Sequence, residues 1–205
     1  LNFEKPLMLP SNDYEKSKLE KILNKTKPIN KEYILTGIQT SKDKIYVIED
    51  FTLKNNFFCF SKNGRDWRIE KEMCKPYISN SRRINSFEIL DSDSFLIFPY
   101  HLDNEGNSKI IDQNTLKKKF PNTFEYLYFF KKELINRDIS PPILNNQEDF
   151  YKYGRAQNIP TLSKFPKLIL TVNQRGDKYS IDNTGIYFTA GGTAGEISIF
   201  NNEDN

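Results

Sequence analysis

The sequence predicts an α+β fold, and three observations lead there. Two segments carry apolar residues at helical spacing, one ahead of Lys27-Pro28 and a longer one after Pro121. Between and beyond them lie short apolar runs joined by turn signals such as Asn63-Gly64, the pattern of hairpins. Strands do not alternate with helices, so a doubly wound parallel sheet is not expected. The expected architecture is mixed β-sheets and hairpins with an N-terminal helix and one long central helix.

The elements follow in order. Pro6 and Pro10 keep residues 1–10 irregular. Ser11 or Asn12 can cap a helix reaching about Leu23, with Tyr14, Leu19, Ile22 and Leu23 on its apolar face. Residues 1–25 then form a helical lead-in, and residues 26–205 the main domain. A strand is expected at 32–35 and a turn at 37–44. A second strand, 45–50, alternates Ile45, Val47 and Glu49 against Tyr46, Ile48 and Asp50. Residues 57–60 form a strand and 61–70 a hairpin around Asn63-Gly64. Residues 87–90 and 94–98 flank an Asp-rich turn, and 102–109 read as a polar loop. Residues 116–120 form a short helical turn. Pro121 suits the first position of a helix reaching Asn136, with Phe124, Leu127, Tyr128, Phe130 and Leu134 buried. Pro141-Pro142 marks 138–147 as a loop. The last strands are expected at 167–171, 184–189 and 196–200, with turns at 175–177 and 190–195.

Composition narrows the function. A chain of 205 residues, 37% hydrophobic and 14% aromatic, can bury a core as one large domain or one domain with a small appendage. Lys, Asn and Ile are abundant while Ala and Gly are scarce, a bias that AT-rich coding DNA explains in part. The net charge of +3 permits nucleic-acid binding without demanding it, so the clustering of charge has to carry that argument. Cys59, Cys74 and the single His101 fit no zinc spacing, and the cysteines read as buried thiols in a reducing compartment. No apolar run has the length of a membrane span, and Glu4 and Lys5 stand where a signal peptide needs apolar residues. Without an initiator Met, the chain reads as an excised fragment.

Motifs for catalysis are lacking. There is no GxGxxG, P-loop or GxSxG, and His101 has no evident Ser or Cys partner. Glu49-Asp50 and the pair Asp91 and Asp93 sit beside turns, where Asp usually serves the backbone. The glycines of 191–195 lie between two strands, away from any helix N-terminus. No catalytic residue, metal ligand or cofactor contact is therefore expected in this chain.

Four polar clusters remain. Gln39, Thr40, Ser41, Lys42 and Lys44 combine a residue able to bond adenine bidentately with groups that hold phosphates, or they form a solvated turn. Arg82 and Arg83, after Asn80-Ser81, suit phosphate or guanine contact, or are a surface pair. Tyr151, Tyr153, Arg155, Gln157 and Asn158, behind Phe150, have the chemistry of base-edge readout with stacking support. The alternative there is a structural arginine braced by tyrosines against a carboxylate. Lys164, Lys167, Arg175 and Lys178 form a basic wall or a solvated face.

Six segments, in order, carry a resemblance: TGIQTSKDKIYVI (36–48), MCKPYISNSRRI (73–84), FLIFPY (95–100), FPNTFEYLYFFKKELINRD (120–138), YKYGRAQNI (151–159) and FPKLIL (165–170). IDNTGIYFTAGG (181–192) also fits. Together they resemble the C-terminal specificity domain of TaqI-like adenine-N6 DNA methyltransferases, which occur in type II and type IIG restriction–modification proteins. One departure is that the family often has a Trp near Phe150, whereas the only Trp here is Trp67.

The resemblance implies a division of labour. A separate N-terminal methyltransferase domain of the parent binds S-adenosylmethionine and carries an Asn-Pro-Pro-Tyr type motif that holds the flipped adenine. Neither that motif nor a cofactor loop appears here. This chain would read double-stranded DNA and form one wall of the cleft, in the cytoplasm of a bacterium, without being an enzyme itself. The expected DNA-binding residues are Gln39, Thr40, Ser41, Lys42, Lys44, Arg82, Arg83, Tyr153, Arg155, Gln157, Asn158, Arg175 and Lys178. A protein-interaction module and a small metal-dependent nuclease are the competing readings.

Overall fold

The computed structural model describes residues 16, 17, 20, 21, 24, 25, 33–79, 84, 92, 94–103, 107–144, 146–171, 179–190 and 196–200. The chain divides into two compact units, Leu1–Glu32 and Tyr33–Asn205. In the first, residues 16, 17, 20 and 21 are helical, inside the segment expected to be a helix. Ser11 and Asn12 lie outside the described residues.

The second unit is α+β. In chain order it opens with β1 (Ile34–Thr36), α1 (Asp43–Tyr46), β2 (Val47–Ile48), β3 (Thr52–Lys54), β4 (Phe57–Lys62) and β5 (Arg65–Glu70). Next come β6 (Cys74–Ile78), β7 (Ser94–Ile97), β8 (Tyr100–Leu102), β9 (Ser108–Ile110), α2 (Gln113–Lys119), α3 (Pro121–Phe129) and α4 (Lys131–Ile135). It closes with α5 (Ile159–Leu162), β10 (Lys167–Thr171), β11 (Tyr179–Asp182), β12 (Tyr187–Phe188) and β13 (Glu196–Phe200). One antiparallel sheet runs β1-β13-β10-β11, and a second sheet runs β12-β6-β7-β2 with β12 parallel to β6. The strands β3-β4-β5 and the pair β8-β9 form the remaining sheets.

The β4–β5 hairpin forms where expected. Asn63 (φ 52°) and Gly64 (φ 71°) both take left-handed conformations, as a type I′ turn requires. The hairpin pairs Phe60 with Trp67 across the strands, and Trp67 turns inward to meet Tyr126 of α3 with ring centroids 5.1 Å apart. At the end of β5, Glu70 caps α3. Its Oε1 accepts from the Asn122 amide (3.0 Å) and its Oε2 from the Thr123 amide (2.9 Å). The side chains of Asn122 and Thr123 donate to the same carboxylate. Two orphan amides are thereby satisfied and a negative charge sits at the helix N-terminus.

Burial alone would push the Glu70 carboxyl up, but the bonds from Thr123 and Asn122 outweigh it and hold it below its ordinary value of 4.5. A carboxyl lowered by folding stabilises above its unfolded value and loses that contribution as pH falls through the folded one. Glu70→Ala should therefore cost about 1–2 kcal/mol near neutrality. The deficit should shrink as pH falls below that ordinary value and through the lowered one, which urea melts across pH would measure.

Several elements differ from expectation. Of the strand expected at 45–50, only Val47 and Ile48 are extended; Ile45 and Tyr46 belong to α1. Alternation fails there because all four side chains, Ile45 to Ile48, are buried. The supposed polar loop at 102–109 contributes to the β8–β9 hairpin. The long helix breaks at Phe130 (φ −90°, ψ 10°), whose ring packs 5.0 Å from that of Tyr126. Tyr126, not Tyr128, faces the core, and Tyr128 stays 52% exposed. Strand β11 was not expected, and the strand expected at 184–189 shortens to Tyr187–Phe188. Residues 87–90, Asp91 and Asp93 lie outside the described residues.

Buried tyrosines tie the layers together. The hydroxyls of Tyr46, Tyr126, Tyr151 and Tyr153 donate to the carbonyls of Tyr151, Ile45, Ile111 and Ile97 at 2.6–2.7 Å. Burial pushes each hydroxyl well up, so each remains a protonated donor.

Candidate nucleic-acid interface

The site forms where the β12 edge of the second sheet is extended by two irregular segments. Thr189 follows β12 and bridges Ile38 in parallel: the Ile38 amide donates to the Phe188 carbonyl (2.9 Å) and the Ala190 amide to the Ile38 carbonyl (2.9 Å). On its other side residue 39 bridges Arg155 in antiparallel fashion. The Arg155 amide donates to the Gln39 carbonyl at 2.9 Å, and the Gln39 amide to the Arg155 carbonyl at 3.3 Å. Two side-chain bonds fasten the same segments. Gln157 Nε2 donates to Thr36 Oγ1 (2.7 Å), and Asn158 Nδ2 donates to the Thr36 carbonyl (3.2 Å). Two of the expected clusters, 121 residues apart in sequence at this contact, thus share one surface.

Close backbone approach depends on small residues. A Cβ on Gly37 would stand 2.3 Å from the Phe188 carbonyl oxygen, and one on Gly154 would stand 2.0 Å from Ser41 Oγ. Ser41 itself has φ 60°. Among the described residues the other non-glycine residues in that region are all Asn, so Ser41 marks a locally strained turn. Gly154→Ala should cost roughly 1–3 kcal/mol by overpacking. Adding Ser41→Gly should recover most of it, which denaturation of the single and double variants would show.

Beneath this surface lies an arginine that belongs to none of the four polar clusters. Arg137, only 5% exposed, follows α4. Its Nε donates to the Leu134 carbonyl (2.7 Å) and its NH1 to that of Thr40 (2.8 Å). Its NH2 donates to the carbonyls of Phe150 (3.1 Å) and Lys152 (2.7 Å). The guanidinium carbon lies 5.8 Å from the Tyr46 ring centroid. One side chain therefore joins the helix end, the Thr40 turn and the 150–152 segment.

The expected site residues separate into groups. Arg155, Gln157 and Lys44 are exposed, and Gln39, Ser41, Lys42 and Asn158 are half-buried at the same surface. Among the described residues no side chain or carbonyl bonds the Arg155 guanidinium. The buried arginine under this surface is a different residue, Arg137, whose acceptors are carbonyls and whose guanidinium lies over Tyr46.

Thr40 and Tyr153 are interior and do not present their side chains to a ligand. The Thr40 hydroxyl donates to Asp43 Oδ1 (2.5 Å) and accepts from the Lys42 amide (3.0 Å), closing the turn that starts α1. The Tyr153 hydroxyl is committed to Ile97. Phe150 and Tyr151 are core residues as well. Lys167, expected in a basic wall, is buried and paired with Asp182. Arg82, Arg83, Arg175 and Lys178 lie outside the described residues. His101 is exposed on β8, and no group of metal-ligating side chains occurs among the described residues. Among them, too, no helix is long and apolar enough to cross a membrane.

Comparison with known proteins adds one relation. The chain is related to restriction–modification enzymes. It is 32% identical over 182 residues, 86% of its length, to the type II restriction enzyme and methyltransferase RM.Eco57I of Escherichia coli. It spans 18% of that relative's length. No family model matches the chain.

Proposed function

We propose that this chain is the target-recognition domain of an adenine-N6 DNA methyltransferase within a restriction–modification system, akin to the specificity domain of TaqI-like enzymes. It binds double-stranded DNA through the surface made by residues 36–44 and 154–158. Gln39, Arg155 and Gln157 face the bases; Ser41, Lys42, Lys44 and Asn158 flank them and hold the backbone. Arg82, Arg83, Arg175 and Lys178 add phosphate contacts. The parent's methyltransferase domain forms the opposite wall, and S-adenosylmethionine bound there supplies the methyl group. The proposed setting is the bacterial cytoplasm.

The observation that carries this reading is the lacing of Thr36 and Gln39 to Gln157, Asn158 and Arg155. It gathers Arg, Gln, Asn and Lys onto one surface, and these side chains bond base edges and phosphates. The relation to an enzyme named for restriction and methylation agrees with it.

Fluorescence anisotropy with a labelled duplex tests the proposal. Affinity should fall linearly with salt on a log–log scale, by about 0.9 per phosphate neutralised. Lys42→Ala should reduce that slope by about 1 and weaken all sequences alike. Binding that is absent, or indifferent to salt, would refute it.

A further inference from the structure

Resting on the DNA-reading proposal, we infer that Gln39 and Arg155 act as one reading pair, which selects sites where an adenine and a guanine occupy neighbouring base pairs. The two residues exchange both backbone hydrogen bonds. In an antiparallel ladder such partners carry their side chains on the same face, with Cβ atoms about 5 Å apart. The flanking residues confirm which face it is. Ile38 and Thr40 on either side of Gln39 are fully buried, so the Gln39 side chain leaves the protein. Arg155 is exposed beside it.

Neither side chain is occupied. Among the described residues nothing bonds the Gln39 amide or the Arg155 guanidinium, whereas neighbouring Gln157 and Asn158 spend donors on Thr36. Both backbones are pinned from two directions, by the Phe188–Ala190 segment behind Ile38 and by Arg137 beneath Thr40 and Lys152. Two bidentate polar groups, unbonded among the described residues, thus stand side by side on one antiparallel bridge held from both sides. Arginine matches the O6 and N7 acceptors of guanine, and glutamine the N6 donor and N7 acceptor of adenine. The separation of about 5 Å at Cβ spans neighbouring steps of a duplex that rises about 3.4 Å per base pair.

Selection of bound duplexes from a randomised library, with the 205-residue chain and its variants, tests the pair. The wild type should enrich a motif with adenine and guanine in neighbouring pairs. Arg155→Ala should relax the guanine position alone and Gln39→Ala the adenine position alone, each losing roughly 10- to 100-fold discrimination. Arg155→Gln should replace the guanine preference by adenine. Circular-dichroism melts should show all variants folded, because neither side chain holds a hydrogen bond among the described residues. A wild-type motif that either alanine variant weakens evenly at every position would make these residues backbone contacts and overturn the pair, leaving DNA recognition standing. A motif without neighbouring adenine and guanine would overturn it too. No enriched motif and no salt-dependent binding by the wild type would overturn both proposals together.

Discussion

Arg137→Ala is expected to lower the unfolding free energy by roughly 3–5 kcal/mol, and DNA binding should fall with it. The guanidinium serves the carbonyls of Leu134, Thr40, Phe150 and Lys152. Removing it takes a donor from each of them; the Thr40 carbonyl keeps the Gly154 amide at 3.3 Å, and a buried group left unpaired typically costs about 1–3 kcal/mol. Relaxation recovers part of the sum. A lysine places one ammonium where a planar fork reached several directions, so Arg137→Lys should restore only part of the loss. The consequence for function is local. Thr40 and Lys152 belong to the two segments that Gln39 and Arg155 bridge, and without Arg137 these segments lose their common anchor. Chemical denaturation gives the stability change. Binding measured well below the midpoint then separates a loosened site from an unfolded protein.

Asp182→Ala should be comparably severe, roughly 3–5 kcal/mol, and harsher than Lys167→Met. Both side chains are fully buried, with Lys167 Nζ on Asp182 Oδ2. The two partners differ in what else they hold. Asp182 also accepts from the Thr184 amide and hydroxyl and from the amides of Gly185 and Ile186, at 2.7–3.1 Å. Lys167 has one other acceptor, the Lys164 carbonyl at 3.3 Å. With Lys167 gone, the carboxylate keeps its other donors. With Asp182 gone, two buried amides and an ammonium lose their partner together. Burial already pushes the Lys167 ammonium down, with Asp182 opposing that shift, so the orphaned lysine would tend to shed its proton. Asp182 also fixes the turn that enters β12, and β12 leads to the Thr189–Ala190 segment against Ile38. Its loss should therefore reach the reading surface from the opposite side to Arg137. Thermal melts of the two single variants give the ranking directly.

The fold was legible wherever local chemistry was decisive. Asn63-Gly64 announces its turn because two consecutive left-handed residues suit few other pairs. Pro121 marks a helix start for an equally local reason, a missing amide at a position that leaves it unused, whereas the helix capped by Asp112 begins three residues before the turn expected at 116–120. The failures arise where tertiary contacts override the local pattern. Ile45 and Tyr46 alternate with their neighbours in sequence, yet the Thr40 hydroxyl closes a helical turn there and every side chain finds cover. Tyr128 sits at a helical spacing that suits burial, but Trp67, brought in from the hairpin, meets Tyr126 instead.

The site was legible as two clusters and illegible as one surface. Polar residue type singled out Gln39 and Arg155, but no spacing could join positions so distant in sequence. Aromatic character misled at Tyr153, since a tyrosine beside an arginine serves a core hydroxyl network as readily as a stacked base. Arg137 was hidden for the converse reason: in KKELINRD it looks like one more solvated charge at a helix end, and only its backbone acceptors reveal its role.

Residues 36–44 and 154–158 are proposed to form a DNA-reading surface. The most direct measurement is an NMR titration of the isotope-labelled chain with duplex DNA, following side-chain signals as well as amides. The Gln39 side-chain amide and the Arg155 Nε–H should shift earliest, with the backbone amides of Ser41, Lys42 and Gln157. Signals from the outer strand β3 should stay in place. Shifts confined to β3 and the β4–β5 hairpin, with Gln39 and Arg155 unmoved at saturation, would contradict it.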